Sequence, residues 1–355
     1  MYNNSLRENE EFGPLKGLKV LDIGTLLASP FGASLLADFG ADVIKVELPR
    51  VGDNIRRIGK TSSNGNSLSW SINARNKRCI TLDMRKEEGR ELMKKLVKWA
   101  DILMENFTPG TLESWDLGYE QLSEINPRLV MVRISGYGQT GPNSKKPGLD
   151  RIALAFSGLK YITGYPDQPP VRMGVTIADY LTGTFGALAS LMAVYNRDVV
   201  GTGKGQMIDL GLYEAPLRIS EDIISTYGVP AEVFETKDGR WITLSAGLDS
   251  AFRRLTIAME QEELANDPRF SSIKERAAHA DEIHAIVRKW VKKYTADEIL
   301  SVLERADVPS GLVYNIADIF KDPHIAFREN IEEVCDLSGR KIPVPGITPK
   351  FSDTP

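Results

Sequence analysis

Lys19-Val-Leu-Asp-Ile23, Ser29 to Phe39 and Val43-Ile-Lys-Val46 follow one another near the start of the chain and decide its fold. The first and last are short apolar runs that predict buried strands, and the first ends at Gly24. Between them, apolar residues recur with helical spacing as far as Gly40, which predicts a helix. A strand, a helix and a second strand in this order predict a parallel sheet with a right-handed crossover.

The alternation of strands and helices continues along the chain. Further strands are predicted at Cys79-Ile-Thr-Leu82, at Ile102-Leu-Met104 and at Leu129 to Ile134, with helices at Glu87 to Trp99 and near Tyr119 to Ile125. The stretch from Pro49 to Asn76 is rich in Gly, Asn, Ser and Arg and predicts an irregular excursion. The first ~140 residues are therefore expected to form an open α/β domain with a Rossmann-like parallel sheet.

The second half of the chain changes character. Helices are predicted around Asp150 to Gly158 and Asp179 to Tyr195, followed by a strand at Met207 to Leu210. Two strands joined at Lys237-Asp-Gly239 predict a hairpin, and residues 250–308 have helical periodicity. This block predicts a smaller α+β domain over residues 225–319.

Composition limits the classes of function. Of the 355 residues, 42% are hydrophobic and 26% charged, and the net charge is −4, as in ordinary soluble globular proteins. We therefore expect neither a nucleic-acid surface nor a membrane partner. The two cysteines, Cys79 and Cys335, lie far apart, and the polar segment Met1 to Phe12 has no signal core, so a cytoplasmic location is expected. The three histidines all lie late in the chain, form no ligand set and are accompanied by no acid or thiol cluster, so no metal site is expected.

Asp179 is the main candidate for a reacting group. It opens a long stretch of small, uncharged residues in the run Met173 to Gly183. A carboxylate in the first turn of a helix is most often there because it complements the free N–H groups. The alternative is a carboxylate nucleophile, which attacks an acyl carbon and forms a mixed anhydride. The residues alone leave both interpretations open.

Two other segments are candidates for binding phosphate. Arg75, Lys77 and Arg78 lie directly before a predicted strand, where cations hold phosphates or simply discourage strand aggregation. The loop Gly136-Tyr-Gly-Gln-Thr-Gly141 could present backbone N–H groups to an anion. The turn after the first strand contains a single glycine, and Glu47 alone could contact a ribose, so a nicotinamide dehydrogenase is weakly supported.

Together these segments resemble the class III CoA-transferases, the family of formyl-CoA transferase and carnitine CoA-transferase. The resemblance covers most of the chain in nine segments that occur in the right order. They are Leu18 to Asp22, Phe39 to Glu47, Gly52-Asp53, Asn76 to Asp83, Ala100 to Gly110, Ile125 to Leu129, Gly136 to Pro142, Thr202 to Gln206 and Lys237 to Gly239.

The resemblance implies that Asp179 is the catalytic aspartate. It would attack the thioester of an acyl-CoA, and the released CoA thiolate would attack the mixed anhydride to give an aspartyl-CoA thioester and a free acid. A small carboxylic acid would then reverse these steps, without metal. The family's coenzyme A contacts fall on Leu27, Ala28, Leu82, Asp83, Met84, Arg85, Asn106, Phe107, Thr108, Lys146 and Leu149.

The family also implies an interlocked homodimer, with a large CoA-binding domain over residues 1–215 and 320–355. Its α-methylacyl-CoA racemase branch carries a histidine at the position of Leu149, so the sequence favours transfer over racemisation. A short stretch at Tyr227 to Val233 and the lack of a recognisable glycine-rich lid leave the acceptor acid open. An acyl-CoA isomerase and a non-catalytic CoA- or nucleotide-binding module remain the alternatives.

Overall fold

The computed structural model describes residues 13–60, 67–164, 171–219, 231–327, 331–335, 339 and 341–346. The segment 1–12 and most of the short stretch at 227–233 lie outside this description. The chain divides into two compact units, Met1–Ser220 with Asn330–Pro355 and Glu221–Glu329. The predicted return of the chain to the large domain is at residue 320, whereas the division places it at Asn330.

The first unit is built on one six-stranded sheet. Its strands are β1 (Lys19–Asp22), β2 (Asp42–Glu47), β3 (Lys77–Thr81), β4 (Ile102–Glu105), β5 (Val130–Ser135) and β6 (Met207–Gly211). They lie in the order β3-β2-β1-β4-β5-β6, and every neighbouring pair is parallel. This is the doubly wound order, which reverses direction between β1 and β4 and commonly binds ligands at that point. The expected Rossmann-like α/β sheet is confirmed.

Helices cover both faces of this sheet. They are α1 (Ala28–Asp38), α2 (Leu68–Asn73), α3 (Glu87–Trp99), α4 (Thr111–Ser114), α5 (Tyr119–Ile125), α6 (Asp150–Phe156), α7 (Leu159–Ile162), α8 (Ile177–Asp198) and α9 (Glu214–Ile219). Strand residues alternate between the two layers: Val20 joins the core beneath α1 and α8, and Leu21 joins the core beneath α3 and α5. The excursion expected to be irregular contains α2 and a short 3-10 helix, Asn54–Arg57.

The second unit carries a three-stranded antiparallel sheet, β7 (Ala231–Glu235), β8 (Trp241–Ser245) and β9 (Ser310–Leu312). Its helices are Asp249–Ala258, Ile273–Ala278, Ala280–Val291, Ala296–Arg305, Ile316–Lys321 and Pro323–Phe327, with a 3-10 turn at Glu262–Asn266. The hairpin of β7 and β8 turns at Lys237-Asp-Gly239, as the sequence predicts. A second hairpin, β10 (Ile331–Cys335) with β11 (Lys341–Pro345), belongs to the first unit and was missed by the sequence analysis.

Glycines let α1 and α8 approach each other closely. A Cβ at Gly32 would lie 2.7 Å from the carbonyl oxygen of Gly183, and a Cβ at Gly183 would overlap the carbonyl oxygen of Ala28. Real side chains do not come so near to backbone atoms, so both positions require glycine. The contact fixes the first turns of α8 beside the start of α1.

Helix α8 is, among the described helices, long and apolar enough to cross a membrane by length and composition. Its small residues Thr182, Gly183, Gly186, Ala187 and Ser190 are buried within the fold. Core helices of globular proteins pass the same test, and burial of this face is typical of a core helix.

Candidate active site

A cleft of about 200 Å³ opens at the carboxyl ends of the first four strands, beside the point where the strand order reverses. Its lining comes from the ends of β1 and β2, from the segment after β3, and from the segment after β4. The lining residues are Ile23, Gly24, Thr25, Val46, Glu47, Leu48, Val51, Gly52, Asp53, Asn54, Leu82, Asp83, Met84, Arg85, Phe107 and Trp115. This is the edge at which doubly wound sheets bind nucleotides and related cofactors.

The loop from β1 to α1 forms one wall of this cleft and is held by side chains from other elements. The Asn106 amide accepts the N–H of Thr25 at 2.7 Å and donates to its carbonyl oxygen at 2.8 Å. Asp53 accepts the N–H of Leu26 at 3.0 Å. Leu26 has a φ of 63°, an unusual conformation for a branched side chain, and these contacts hold it there.

Beneath the loop lies a fully buried network of charges. The Lys45 ammonium contacts Asp53 at 3.0 Å, Asp22 at 3.4 Å and the carbonyl oxygen of Gly24 at 2.5 Å. The Lys77 ammonium contacts Asp22 at 2.9 Å. Burial disfavours the charged forms of Asp22 and Lys45. The two lysines nevertheless hold the pKa of Asp22 below its usual value, and Asp22 and Asp53 raise the pKa of Lys45. The paired charges therefore act as a rigid base for the loop.

Glu47, the one acid that the sequence offers for contact with a ribose, is already hydrogen-bonded by other groups. Its carboxylate accepts two hydrogen bonds from Arg56, both at 2.7 Å, and one from the N–H of Asp53 at 2.8 Å. In dehydrogenases of this fold, the acid at this strand end is available for a ribose hydroxyl. Here Arg56 occupies it, and the guanidinium also stacks over Trp70 with its carbon 3.5 Å from the ring centre.

A second buried group positions Phe107 at the cleft. Glu105 accepts the N–H of Phe107 at 2.6 Å and the Nε of Arg133 at 2.7 Å, and Arg133 in turn binds Glu113. The Phe107 ring meets Trp115 edge-on, with 5.6 Å between ring centres. The sequence does not point to Trp115, because no local pattern connects this residue with the end of β4, where its ring meets Phe107.

The predicted contact residues for coenzyme A are not all at this cleft. Leu82, Asp83, Met84, Arg85 and Phe107 line it directly. Leu27 and Ala28 cap and begin α1, and Asn106 clamps the loop before them. Thr108 accepts the N–H of Thr111 ahead of α4. Lys146 and Leu149 are exposed in the segment before α6.

Each cation of the predicted phosphate-binding cluster has a carboxylate partner. Arg75 binds Asp38 through two hydrogen bonds, Lys77 binds Asp22, and Arg78 binds Asp42 through two hydrogen bonds. They stand at the amino end of β3, roughly 13 Å along the strand from the segment that lines the cleft. None of the three lines it. Their role at a phosphate stays a prediction, and the structure gives it no support.

Asp179 lies in the first turn of α8. It precedes Gly183 by one helical turn, roughly 6 Å along the axis, and so lies near the start of α1. The neighbouring Tyr180 ring meets Phe31 of α1 edge-on at 4.7 Å. Burial, together with the smaller effect of the nearby Asp150 charge, raises the pKa of the Asp179 carboxyl to about 7. Within the described part of the chain, no side chain neutralises this carboxylate.

Asp150 was overlooked by the sequence analysis as a functional residue. It opens α6, and its Oδ1 accepts the N–H groups of Ala178 at 2.8 Å and of Asp179 at 3.4 Å. A separation of 28 residues hides this contact from any local pattern. Neither Asp150 nor Asp179 is among the residues that line the cleft. The two acids lie side by side at the start of α8, near the start of α1, which follows the loop that forms one wall of the cleft.

The profile of CoA-transferase family III matches residues 15–355. The chain belongs to this family. A succinyl-CoA–D-citramalate CoA-transferase of Chloroflexus aurantiacus is 41% identical over 96% of this chain and 89% of its own length. The beta subunit of a succinyl-CoA–L-malate CoA-transferase of the same organism is 41% identical, again over 96% and 89%. The protein is a family III CoA-transferase, and its substrates are CoA thioesters.

Solved structures agree with this assignment. A CaiB/BaiF family protein from Brucella suis is 33% identical and superposes with a TM-score of 0.79 over 97% of this chain and 94% of its own. A protein from Mycobacterium tuberculosis is 26% identical, with a TM-score of 0.85 over 97% and 94%.

Replacing Asp179 with asparagine is expected to stabilise the protein at high pH. A carboxyl whose pKa rises on folding, from its ordinary 3.8 to about 7, favours the folded state least when it is ionised. Stability from this group is therefore present below pH ~4, is lost between pH ~4 and ~7, and stays lost above. Asp179→Asn should raise stability by roughly 2–4 kcal/mol at pH 8.

Urea unfolding of both proteins at pH 5 and pH 8 measures this difference. The advantage of the variant should be much smaller at pH 5, where the wild-type carboxyl is largely protonated. An equal advantage at both pH values would contradict a raised pKa at Asp179.

Proposed function

We propose that this CoA-transferase works through a covalent intermediate on Asp179. The Asp179 carboxylate attacks the thioester carbonyl carbon, the C–S bond breaks, and CoA leaves as a thiolate. The thiolate attacks the aspartyl carbonyl of the mixed anhydride, which releases the donor acid and leaves an aspartyl-CoA thioester. An acceptor carboxylate then attacks this thioester, and the same steps in reverse order yield the new acyl-CoA and the free aspartate.

The observation that carries this proposal is a half-buried carboxylate whose pKa is raised to about 7, near the start of α1. A carboxylate that is poorly solvated is a stronger nucleophile than one in water, and at neutral pH a large part of it is still ionised. A helix-capping role would instead place the carboxylate on free N–H groups, and at α8 the N–H groups of Ala178 and Asp179 are bound by Asp150.

The names of the relatives suggest the substrates. Relatives at 40–41% identity are succinyl-CoA transferases acting on D-citramalate or L-malate. An acetyl-CoA:oxalate CoA-transferase of Acetobacter aceti is 35% identical. We therefore propose succinyl-CoA as the donor and a hydroxylated dicarboxylic acid as the acceptor. The cytoplasmic location expected from the sequence stays a prediction.

Incubation with succinyl-CoA tests the covalent step. Wild type should carry CoA or a succinyl group on the peptide that contains Asp179, visible by mass and trapped as a hydroxamate by hydroxylamine. Asp179→Ala should fold and bind CoA but lose the adduct and turnover. The kcat/KM of wild type should rise with pH through about 7, since the ionised carboxyl is the nucleophile.

The same incubation in deuterium oxide separates the alternatives. An acyl-CoA racemase or isomerase would exchange the α-proton without moving CoA, and a non-catalytic binding module would do neither. Full transferase activity in Asp179→Ala would refute the proposed nucleophile. L-malate, D-citramalate and oxalate compared as acceptors test the substrate proposal, and faster transfer to oxalate would contradict it.

Arg85 is the cation that we propose for the phosphate groups of coenzyme A. It lines the cleft, 58% of its side chain is exposed, and its guanidinium is held by Asp83 at 2.8 Å. Arg78 is a matched control, because it is similarly exposed and similarly paired, with Asp42, but lies at the other end of β3. Arg85→Ala should weaken CoA binding about tenfold, and Arg78→Ala should have little effect.

Calorimetric titration with CoA and with dephospho-CoA measures both effects. A larger loss for CoA than for dephospho-CoA would assign Arg85 to the 3′-phosphate, and an equal loss would assign it to the diphosphate. If Arg78→Ala proved the more damaging change, the cluster predicted from the sequence would be the phosphate site instead.

We also propose that the protein is a homodimer. Leu188, Met192 and Tyr195 form a stripe on α8 in which each side chain is at least 50% exposed. Ile152 and Phe156 on α6 are also exposed. A row of large apolar side chains at helical spacing is typical of a surface that a second subunit covers.

Light scattering after gel filtration tests this surface. Wild type should have the mass of two chains, and the double substitution Leu188→Glu with Met192→Glu should yield monomers or aggregates. Leu92→Glu is the control, since Leu92 is also 50% exposed but lies on α3. A monomeric wild type, or a double variant that remains a dimer, would contradict the proposal.

A further inference from the structure

We propose that Asp150 is the positioning residue of the nucleophile, because it supplies from α6 the helix cap that α8 lacks. The residue before α8, Thr176, makes no capping hydrogen bond with its side chain. Asp150 instead brings Oδ1 to the N–H groups of Ala178 and Asp179, at 2.8 and 3.4 Å. These are the second and third N–H groups of the helix, which a capping side chain normally binds.

The cap fixes the backbone of the nucleophile itself. The first turn of a helix frays when its free N–H groups have no partner. Asp179 belongs to this turn, and one of the two capped N–H groups is its own. Asp150 is only 7% exposed and lies at the start of a helix that packs against α8, so its position is well determined. Loss of the cap would release the side chain that must reach the thioester.

The same contact leaves the Asp179 carboxylate without these N–H groups. An acidic side chain in the first turn normally benefits from the positive end of the helix. Here the carboxylate of Asp150 takes that place, and its negative charge adds to the effect of burial in raising the pKa of Asp179. A more basic carboxylate attacks an acyl carbon faster once it is ionised.

Other described groups next to this pair come from α6, α8 and α1. Burial raises the pKa of Asp150, whereas the N–H groups of Ala178 and Asp179 and the charge of the adjacent Arg151 lower it. Tyr180 follows Asp179 on α8 and hydrogen-bonds Asn73 of α2. Phe31 of α1 contributes an uncharged ring. Among the described residues, Asp150 is therefore the charged group that raises the pKa of Asp179 beyond the effect of burial.

Two substitutions separate the cap from the charge. Asp150→Asn keeps an oxygen that can accept the two N–H groups but removes the negative charge. Asp150→Ala removes both. Thr295→Ala is a matched control, because it deletes the capping bond of helix Ala296–Arg305 in the other unit. The inference rests on the proposed function, so wild type is first tested for the covalent adduct on Asp179. If the adduct were absent, the proposed function would be refuted, but the capping role of Asp150 would not.

Three readouts are compared in the full-length protein: kcat and KM for succinyl-CoA, the pH profile of kcat/KM, and the titration of Asp179 by carbon NMR of labelled aspartate, assigned with Asp179→Asn. Asp150→Ala should lower kcat about 10- to 100-fold with little change in KM. Asp150→Asn should recover most of this loss at high pH. In both variants the acidic limb of the profile and the titration of Asp179 should move to lower pH.

Thr295→Ala should lower the melting temperature and leave the kinetics unchanged. The cap is refuted if Asp150→Ala keeps the wild-type kcat, or if Asp150→Asn loses as much activity as Asp150→Ala. The charge effect is refuted if Asp179 titrates at the same pH in Asp150→Asn and wild type. The titration requires no turnover, so it decides the charge effect even if a variant is inactive. If Asp150→Ala does not fold, the comparison of Asp150→Asn with wild type still tests the charge effect.

Discussion

The glycine contact between α1 and α8 is the constraint on which the candidate site depends. At Gly32 and Gly183 the two helices touch through backbone atoms, a separation that no larger residue permits. The approach brings the first turn of α8 near the start of α1, which itself follows the loop that walls the cleft. The contact therefore brings Asp179, the proposed nucleophile, near the loop that forms one wall of the cleft.

The charges around this contact are of two kinds. Beneath the loop, two carboxylates and two ammonium groups are buried but paired, so they fix geometry without an unbalanced charge. They belong to Asp22, Asp53, Lys45 and Lys77. At the start of α8, Asp150 and Asp179 are two acids side by side, and their mutual repulsion is left in place. Unbalanced charge costs stability, and proteins retain it mainly where a reacting group requires it. The contrast separates the paired charges that hold the loop from the two acids at the proposed nucleophile.

The sheet could be predicted from the sequence because strands such as Lys19–Asp22 and Val130–Ser135 are short apolar runs between helical periods. Asp179 was singled out as the odd charge in an apolar helix, but choosing between a cap and a nucleophile required the family resemblance. Asp150 and Trp115 could not be found, since their roles arise from contacts between segments distant in sequence. The cations at Arg75 to Arg78 looked free because sequence shows a charge but hides its partner, here Asp38 or Asp42.

The end of β2 shows how a common fold can serve different chemistry. The same sheet order binds dinucleotides when the acid at this strand end is free to accept hydroxyl groups from a ribose. In this chain Arg56 neutralises Glu47, and Asp53, whose N–H also binds Glu47, turns its carboxylate to the loop after β1. The acid therefore serves to shape the wall of the cleft and is not available as a ligand. The carboxylate that we propose as the nucleophile, Asp179, is carried instead by α8, a helix packed on one face of the sheet. In this proposal the sheet edge holds coenzyme A, and the helix supplies the group that attacks the thioester.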